Sequence, residues 1–217
     1  VEWRLRSNDG DWTYVEVIGT NLLHDPTVRG LVLNARDITE RKRLEDELKH
    51  LAFTDTLTLL ANRNLFNEQL GIALSRANGR EPFPTLIFAD LDNFKKINDS
   101  LGHEAGDKLL AIAARRLIRA TRSGDTVARL GGDEFALLVT GDTSDAYIQG
   151  LAGRLVDTLS APYDIDGRQL VLSASLGIAR ADRGITPQEL MRNADLALYR
   201  AKHGGGDPNA NLTLRYA

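Results

Sequence analysis

The 217-residue chain contains no cysteine. That excludes disulfides, thiolate nucleophiles and cysteine-based zinc sites, and fits a cytoplasmic protein. No apolar run approaches the roughly 18 residues that would mark a membrane span, so no membrane segment is expected. An excess of positive charge is missing too: 27 Lys and Arg face 30 Asp and Glu, for a net charge of -3. Such a chain is poorly suited to holding long nucleic acid through its phosphates, although a nucleotide needs only a local cluster of cations. Among the four histidines, His24, His50 and His203 show no metal-ligand spacing, and His103, between Gly102 and Glu104, reads as a loop residue entering a helix. There is no initiator methionine and the first residues read as strand, so a piece of a longer protein is expected.

What is present is ordinary globular composition, 42% apolar and 26% charged. The pattern changes twice along the chain. Residues 1–38 carry strand signals at Glu2–Arg6, Trp12–Leu23 and Gly30–Arg36, with Asn8-Asp9-Gly10-Asp11 as a turn. Residues 39–53 are rich in charge and helix formers; Thr39 is the expected N-cap, and Ile38, Leu44, Leu48 and Leu51 fall near one face. That spacing suits either a short coiled coil or a helix lying on its own domain. From 54 to 217, helices are predicted near 62–78, 93–98, 105–121, 144–159 and 187–202, and strands near 84–90, 126–130, 135–140, 169–180 and 211–216. The predicted fold class is α/β (α+β): a ferredoxin-like or palm-type central sheet surrounded by helices, preceded by a β fragment.

Two segments carry candidate chemistry. The apolar strand Thr85–Ala89 ends in Asp90-Leu91-Asp92, which places carboxylates at the end of a buried strand, where open sheets form crevices. Such acids suit a hard cation that also meets substrate phosphates; the competing reading is that Asp90 or Asp92 caps the helix beginning at Asn93. Farther on, Gly131-Gly132-Asp133-Glu134 reads as the tip of a β-hairpin, the glycines supplying positive φ angles. If the hairpin pairs beside the strand that ends at Asp90, the carboxylates converge as metal-assisted attack on a phosphate requires.

Gly131-Gly132-Asp133-Glu134-Phe135 matches the motif for which the GGDEF family is named. The resemblance covers roughly 54–206. Asp55-Thr56-Leu57-Thr58 with Asn62-Arg63 is similar to the family's opening DxLT…NR segment. The run Asp90 to Asp99, with Gly102-His103 and Gly106-Asp107, resembles its DxDxFKxxND…GHxxGD segment. Ala194-Asp195, Ala197-Leu198-Tyr199 and Ala201-Lys202 resemble its closing ADxALYxAK segment.

The resemblance implies a diguanylate cyclase that condenses two GTP into cyclic di-GMP as a homodimer. Asp90, Asp133 and the Leu91 carbonyl would be ligands of Mg²⁺ (or Mn²⁺), and Asp133 and Glu134 the catalytic acids. Asn98 and Asp107 would read guanine, whose N1–H and amino group suit a carboxylate acceptor. Leu57 and Leu110 match apolar walls, with ordinary core as the alternative. Phe94 matches a residue lining the nucleotide site, and Lys95 and Lys202 match phosphate-binding cations. Arg122 and Asp125, an RxxD upstream of the hairpin, match an inhibitory product site; the plain alternative is a helix-ending arginine and a turn aspartate.

Two positions depart from the pattern. Leu59 stands where the family usually has glycine, and Gly206 replaces a phosphate-contacting arginine of the closing AKxxGRN. The second departure keeps an alternative open: a weakly active domain that binds GTP or cyclic di-GMP as a regulatory module. The front end, strands followed by Asp37-Ile38-Thr39-Glu40-Arg41-Lys42, resembles the C-terminal part of a PAS sensor domain and its exit helix. The expected domains are therefore 1–38, a linker helix over 39–53, and 54–217.

Overall fold

A computed structural model describes residues 1–6, 10–77, 81–203 and 212–215, and of His50 and 212–215 the backbone alone. The expected turn at Asn8-Asp9 and the departure at Gly206 lie outside the described residues. The chain divides into two compact units, Val1–Leu51 and Ala52–Ala217.

The first unit is β-rich. Strands β1 (Glu2–Arg6), β2 (Trp12–Leu22) and β3 (Gly30–Asp37) form an antiparallel meander, and helix α1 (Thr39–Phe53) follows. Thr39 is not the cap expected of it. It is the first helical residue: its N–H donates to Asp37 Oδ1 at 2.8 Å, and its hydroxyl accepts the Tyr14 N–H at 2.9 Å. The carboxylate two residues earlier thus satisfies a free N–H of the first turn, where a negative charge is also favoured. Ile38 is buried, whereas Leu44, Leu48 and Leu51 are exposed.

The second unit is a mixed α/β fold around a five-stranded sheet of order β10-β9-β4-β6-β5. In chain order it comprises α2 (Arg63–Ala77), β4 (Thr85–Leu91), α3 (Phe94–Leu101), α4 (His103–Ala120), β5 (Thr126–Gly131), β6 (Glu134–Val139), α5 (Asp145–Ser160), β7 (Tyr163–Ile165), β8 (Arg168–Leu170), β9 (Ala174–Arg180), α6 (Pro187–His203) and β10 (Leu212–Arg215). The βαββαβ order from β4 to β9 is that of ferredoxin-like sheets.

The apolar run of β4 is explained by burial on both faces. Ile87, Ala89 and Leu91 meet Leu109, Leu110, Leu117, Leu151 and Leu155 of α4 and α5. Leu86 and Phe88 meet Phe66 and Leu70 of α2 and Leu190, Ala194 and Leu198 of α6. Each such aliphatic side chain contributes about 1.5–3 kcal/mol on burial, so the two layers hold β4 firmly at the centre. Helix α6 lies so close to β9 that a Cβ on Gly177 would stand 2.3 Å from the Ala194 carbonyl.

The strand predicted over 169–180 is two strands. Residues 171–173 leave the ladder between β8 and β9, and β8 pairs instead with β7. That hairpin turns on Asp166 (φ 53°) and Gly167 (φ 79°), a two-residue Asp-Gly turn whose positive φ angles suit hairpin twist.

Candidate active site

Strand β4 is antiparallel to both neighbours, so its carboxyl end meets the amino ends of β6 and β9. Asp90 lies directly opposite Glu134 on one side and Ser175 on the other. The β5–β6 turn is built by Gly131 (φ 145°) and Gly132 (φ 54°), conformations that glycine adopts without a steric penalty. The register shifts between Arg129 and Gly131, and the ladder closes on the pair Gly131 and Glu134.

The result is a cleft of about 470 Å³ whose lining includes Asp90, Leu91, Phe94, Lys95, Asp133 and Lys202, with Asp92, Ser173, Ser175 and His203 also in its wall. Asp90 is only 5% exposed. Burial pushes its carboxyl above the ordinary range; the Lys202 ammonium, 2.6 Å from Oδ2, opposes that rise, and the negative charges of Asp133 and Asp92 add to it. Neither acid caps α3. The N-cap is Asn93, left-handed at φ 63° and without a side-chain cap bond. Asp92 instead accepts the hydroxyls of Ser173 and Ser175 at 2.7 and 2.9 Å.

Among the described residues no group of three His, Cys, Asp or Glu is arranged to hold a metal ion. The donor set still fits Mg²⁺. Asp90 and Asp133 are close enough to repel, the Leu91 carbonyl ends the same strand, and magnesium takes one or two carboxylates while keeping waters and substrate phosphates.

The other predicted residues divide around this cleft. Phe94, 7% exposed, opens α3 and is shared between the cleft and the core. Lys95 is exposed. Glu134 is exposed beside the cleft, 3.9 Å from Arg63, and lines a neighbouring cavity with Phe88 and Asp195. Asn98, Asp107, Leu57 and Leu110 do not line the acidic cleft. Asn98 lies on α3 and Asp107 on the adjoining α4, the latter exposed. The Asn98 Oδ1 is buried without a hydrogen-bond partner, and a Cβ on Gly106 would stand 2.0 Å from it. An unsatisfied buried acceptor costs about 1–3 kcal/mol, which a ligand donor would recover. Leu110 is packed in the core and Leu57 packs against it.

Arg122 and Asp125 sit beyond the end of α4. Their backbones and the Asp125 carboxylate form a tight turn, and the Arg122 guanidinium lies 3.9 Å over the Tyr147 ring. Leu59 adopts φ 60°, the conformation a glycine would take there without strain.

Several contacts escaped sequence reasoning. The Lys202–Asp90 pair and the serine clamp on Asp92 join segments remote in the chain. His203 stacks on Tyr199 with centroids 4.1 Å apart, and its Nδ1 is 2.8 Å from the Tyr199 carbonyl oxygen, in the last turn of α6. Arg129, two residues before the paired glycines, bridges Asp55 and the Gly132 carbonyl; its place beside the motif was the available signal.

Comparison with known proteins fits this geometry. Residues 52–208 match the family model described as "Diguanylate cyclase, GGDEF domain". The bifunctional diguanylate cyclase/cyclic di-GMP phosphodiesterase MucR of Pseudomonas aeruginosa is 44% identical over 169 residues, covering 77% of this chain and 24% of that protein. The solved GGDEF domain of TpbB (YfiN), from the same organism, superposes with a TM-score of 0.66 at 41% identity, covering 70% of this chain and 90% of that one. The coiled coil and GGDEF domain of DgcB from Caulobacter crescentus, solved with c-di-GMP, gives a TM-score of 0.69 at 29% identity over 76% of this chain and 90% of that one. The chain spans about a quarter of the length of the curated relatives it matches. These likenesses support a catalytic or regulatory role related to cyclic di-GMP. No helix among the described residues is long and apolar enough to cross a membrane.

Proposed function

Because the chain belongs to the GGDEF family of diguanylate cyclase domains, we propose that it condenses two GTP molecules into cyclic di-GMP and two pyrophosphates. The observation that carries this reading is the meeting of buried Asp90, Asp133 and Lys202 at one end of β4.

In this reading the 3′-hydroxyl of one GTP attacks the α-phosphorus of the other. A new O–P bond forms, the bond to pyrophosphate breaks, and the hydroxyl proton leaves. Repetition in the opposite sense closes the ring, which suits a two-fold pairing of domains. Asp90, Asp133 and the Leu91 carbonyl would hold Mg²⁺ (or Mn²⁺), which when bound activates the hydroxyl and neutralises phosphate charge. Asn98 and Asp107 take the guanine edge, beside Phe94 and against walls that include Leu57 and Leu110. Lys95 and Lys202 meet the triphosphate. Lys202 is paired with Asp90 at 2.6 Å, and phosphate offers it a second anionic partner. Glu134, exposed at the start of β6, assists with deprotonation or metal binding. Positioning and charge neutralisation are the protein's main contributions. Arg122 and Asp125 form the product-inhibition site, arginine being suited to guanine O6 and N7. The β-rich front unit is read as the end of a PAS sensor.

A second reading, a nucleotide-binding regulatory module, rests on Gly206 standing where the family carries a phosphate-contacting arginine. Incubation of the purified chain with GTP and Mg²⁺, with the product identified by mass, separates the two. The enzyme reading expects cyclic di-GMP and pyrophosphate. A demonstrably dimeric sample that binds GTP without forming product overturns it.

A further inference from the structure

At its carboxyl end β4 is held from one side. Its ladder with β9 runs on through Leu91, whereas its ladder with β6 stops at Asp90. One residue farther, the Asp92 N–H still donates to the Ser173 carbonyl at 2.9 Å. The Asp92 carboxylate returns to the same place: Oδ2 accepts the Ser173 hydroxyl at 2.7 Å, and Oδ1 the Ser175 hydroxyl at 2.9 Å. The backbone nitrogen and both carboxylate oxygens of one residue are thereby tied to the start of β9. Ser175 is buried, so that arm of the clamp is shielded from water.

The Leu91 carbonyl and the Asp92 N–H are the two ends of one trans peptide, and they point in opposite directions. With the N–H aimed at Ser173, the carbonyl is turned away from β9, past the last rung of the β6 ladder. Leu91 and Asp133 both line the cleft on that side. The charge of Asp92 lies close enough to Asp90 to raise its carboxyl, so an untethered Asp92 would swing in as a rival oxygen ligand. Two charge-assisted hydroxyl bonds hold it on β9 instead.

We infer that Asp92, clamped by Ser173 and Ser175, is the positioning residue that aims the Leu91 carbonyl into the acidic cleft. The clamp fixes the peptide plane from behind and keeps the Asp92 carboxylate off the ion. The end of β4 then offers one carboxylate, Asp90, and one neutral oxygen, that of Leu91, in place of two carboxylates. Groups that orient a metal's ligands in this way typically change metal affinity about 10- to 100-fold. The effect on the metal rests on the proposed Mg²⁺ site; the orientation of the peptide does not.

The test uses the full chain with Asp92→Ala, Asp92→Asn and the double variant Ser173→Ala with Ser175→Ala. Mg²⁺ affinity is measured in the presence of α,β-methylene GTP, beside turnover of GTP over a range of Mg²⁺ and thermal unfolding without metal. The NMR correlation that joins the Leu91 carbonyl carbon to the Asp92 amide is followed as Mg²⁺ is added. In the wild-type chain that carbon is expected to shift with Mg²⁺. Asp92→Ala and the double serine variant are expected to lose the shift and to bind Mg²⁺ about 10- to 100-fold more weakly, with turnover returning at high Mg²⁺. Asparagine can accept the Ser175 hydroxyl and donate to the Ser173 oxygen, so Asp92→Asn should stay within about threefold of wild type. Were Asp92 itself a ligand, Asp92→Asn would fall as far as Asp92→Ala, and the serine variant, its carboxylate intact, would bind Mg²⁺ undiminished; either result overturns the assignment. So does a loss of kcat in the serine variant that no Mg²⁺ concentration restores, the mark of a merely structural clamp. Ser175→Ala alone carries the same comparison if the double variant does not fold. A wild-type chain that shows the Leu91 shift but turns over no GTP refutes the cyclase reading and leaves the positioning role standing. A Leu91 carbonyl indifferent to Mg²⁺ overturns the positioning role whatever the turnover.

Discussion

Replacing Gly106 with alanine separates nucleotide recognition from folding. The added Cβ would stand 2.0 Å from Asn98 Oδ1 and 3.0 Å from both Asn98 Cγ and the Phe94 ring, where ordinary contacts begin near 3.4 Å. The Asn98 amide must therefore retreat by about an ångström or more, beyond hydrogen-bond tolerance for the guanine edge that the proposed function assigns to Asn98 and Asp107. Loss of one such bond, with its acceptor displaced, costs about 1–2 kcal/mol, or a roughly 5- to 30-fold weaker Kd for GTP. Stability should move the other way or barely at all, because alanine in a helix is favoured over glycine by up to about 1 kcal/mol, a gain the crowded Phe94 ring partly offsets. The assays are a binding isotherm with a non-hydrolysable GTP analogue and thermal unfolding of the same samples. Gly71→Ala on α2, where a Cβ meets nothing within 4 Å, is the control expected to raise Tm without touching affinity. Unaltered GTP affinity in a folded Gly106→Ala protein would refute the assignment of Asn98 to guanine.

Three further outcomes are expected. Leu59→Gly removes a leucine from φ 60° and should change stability by about 0 to +1 kcal/mol, read as a small rise in Tm, since the strain relieved is of order 1 kcal/mol and the flexible unfolded chain returns part of it. Asp55 is held below its ordinary value near 3.8: burial alone would raise it, and the Thr58 bonds and Arg129 outweigh that. Its contribution is therefore present above that value and lost as pH falls through the lower folded value; Asp55→Asn should flatten the acid limb of a stability–pH curve below about pH 4 while lowering stability at neutral pH. Tyr147→Leu removes the ring 3.9 Å beneath Arg122; with Arg122 in the proposed product site, loss of a cation–π contact worth about 0.5–1 kcal/mol predicts inhibition by cyclic di-GMP weakened about two- to fivefold in initial-rate assays.

Much of the core was legible because β4 and the hairpin announce themselves: an apolar run ending in acids, then two strands around paired glycines. Local patterns could not reveal where the run over 169–180 breaks. Ser173 leaves the ladder to reach Asp92, a contact made by folding. The β7–β8 hairpin leaves only Asp166-Gly167 as a signal in the sequence, because strands of three residues are too short to show alternation. Residue type points to Thr39 as the cap, whereas Asp37 has both the reach and the charge. At the site, acids at motif positions were identifiable one by one. Their partners were not: Lys202 for Asp90, serines for Asp92 and Asp55 for Arg129 are pairings between distant segments that only tertiary structure selects.

The end of α6 carries a consequence of its own. The cation that compensates the buried Asp90 sits one residue from the helix terminus, where helices ordinarily fray. The Tyr199–His203 stack acts there as a clasp on the final coil of backbone. Weakening that clasp would deprive a carboxylate in the sheet of its counter-charge, so the electrostatic balance of the cleft depends on how the last coil of a surface helix is held.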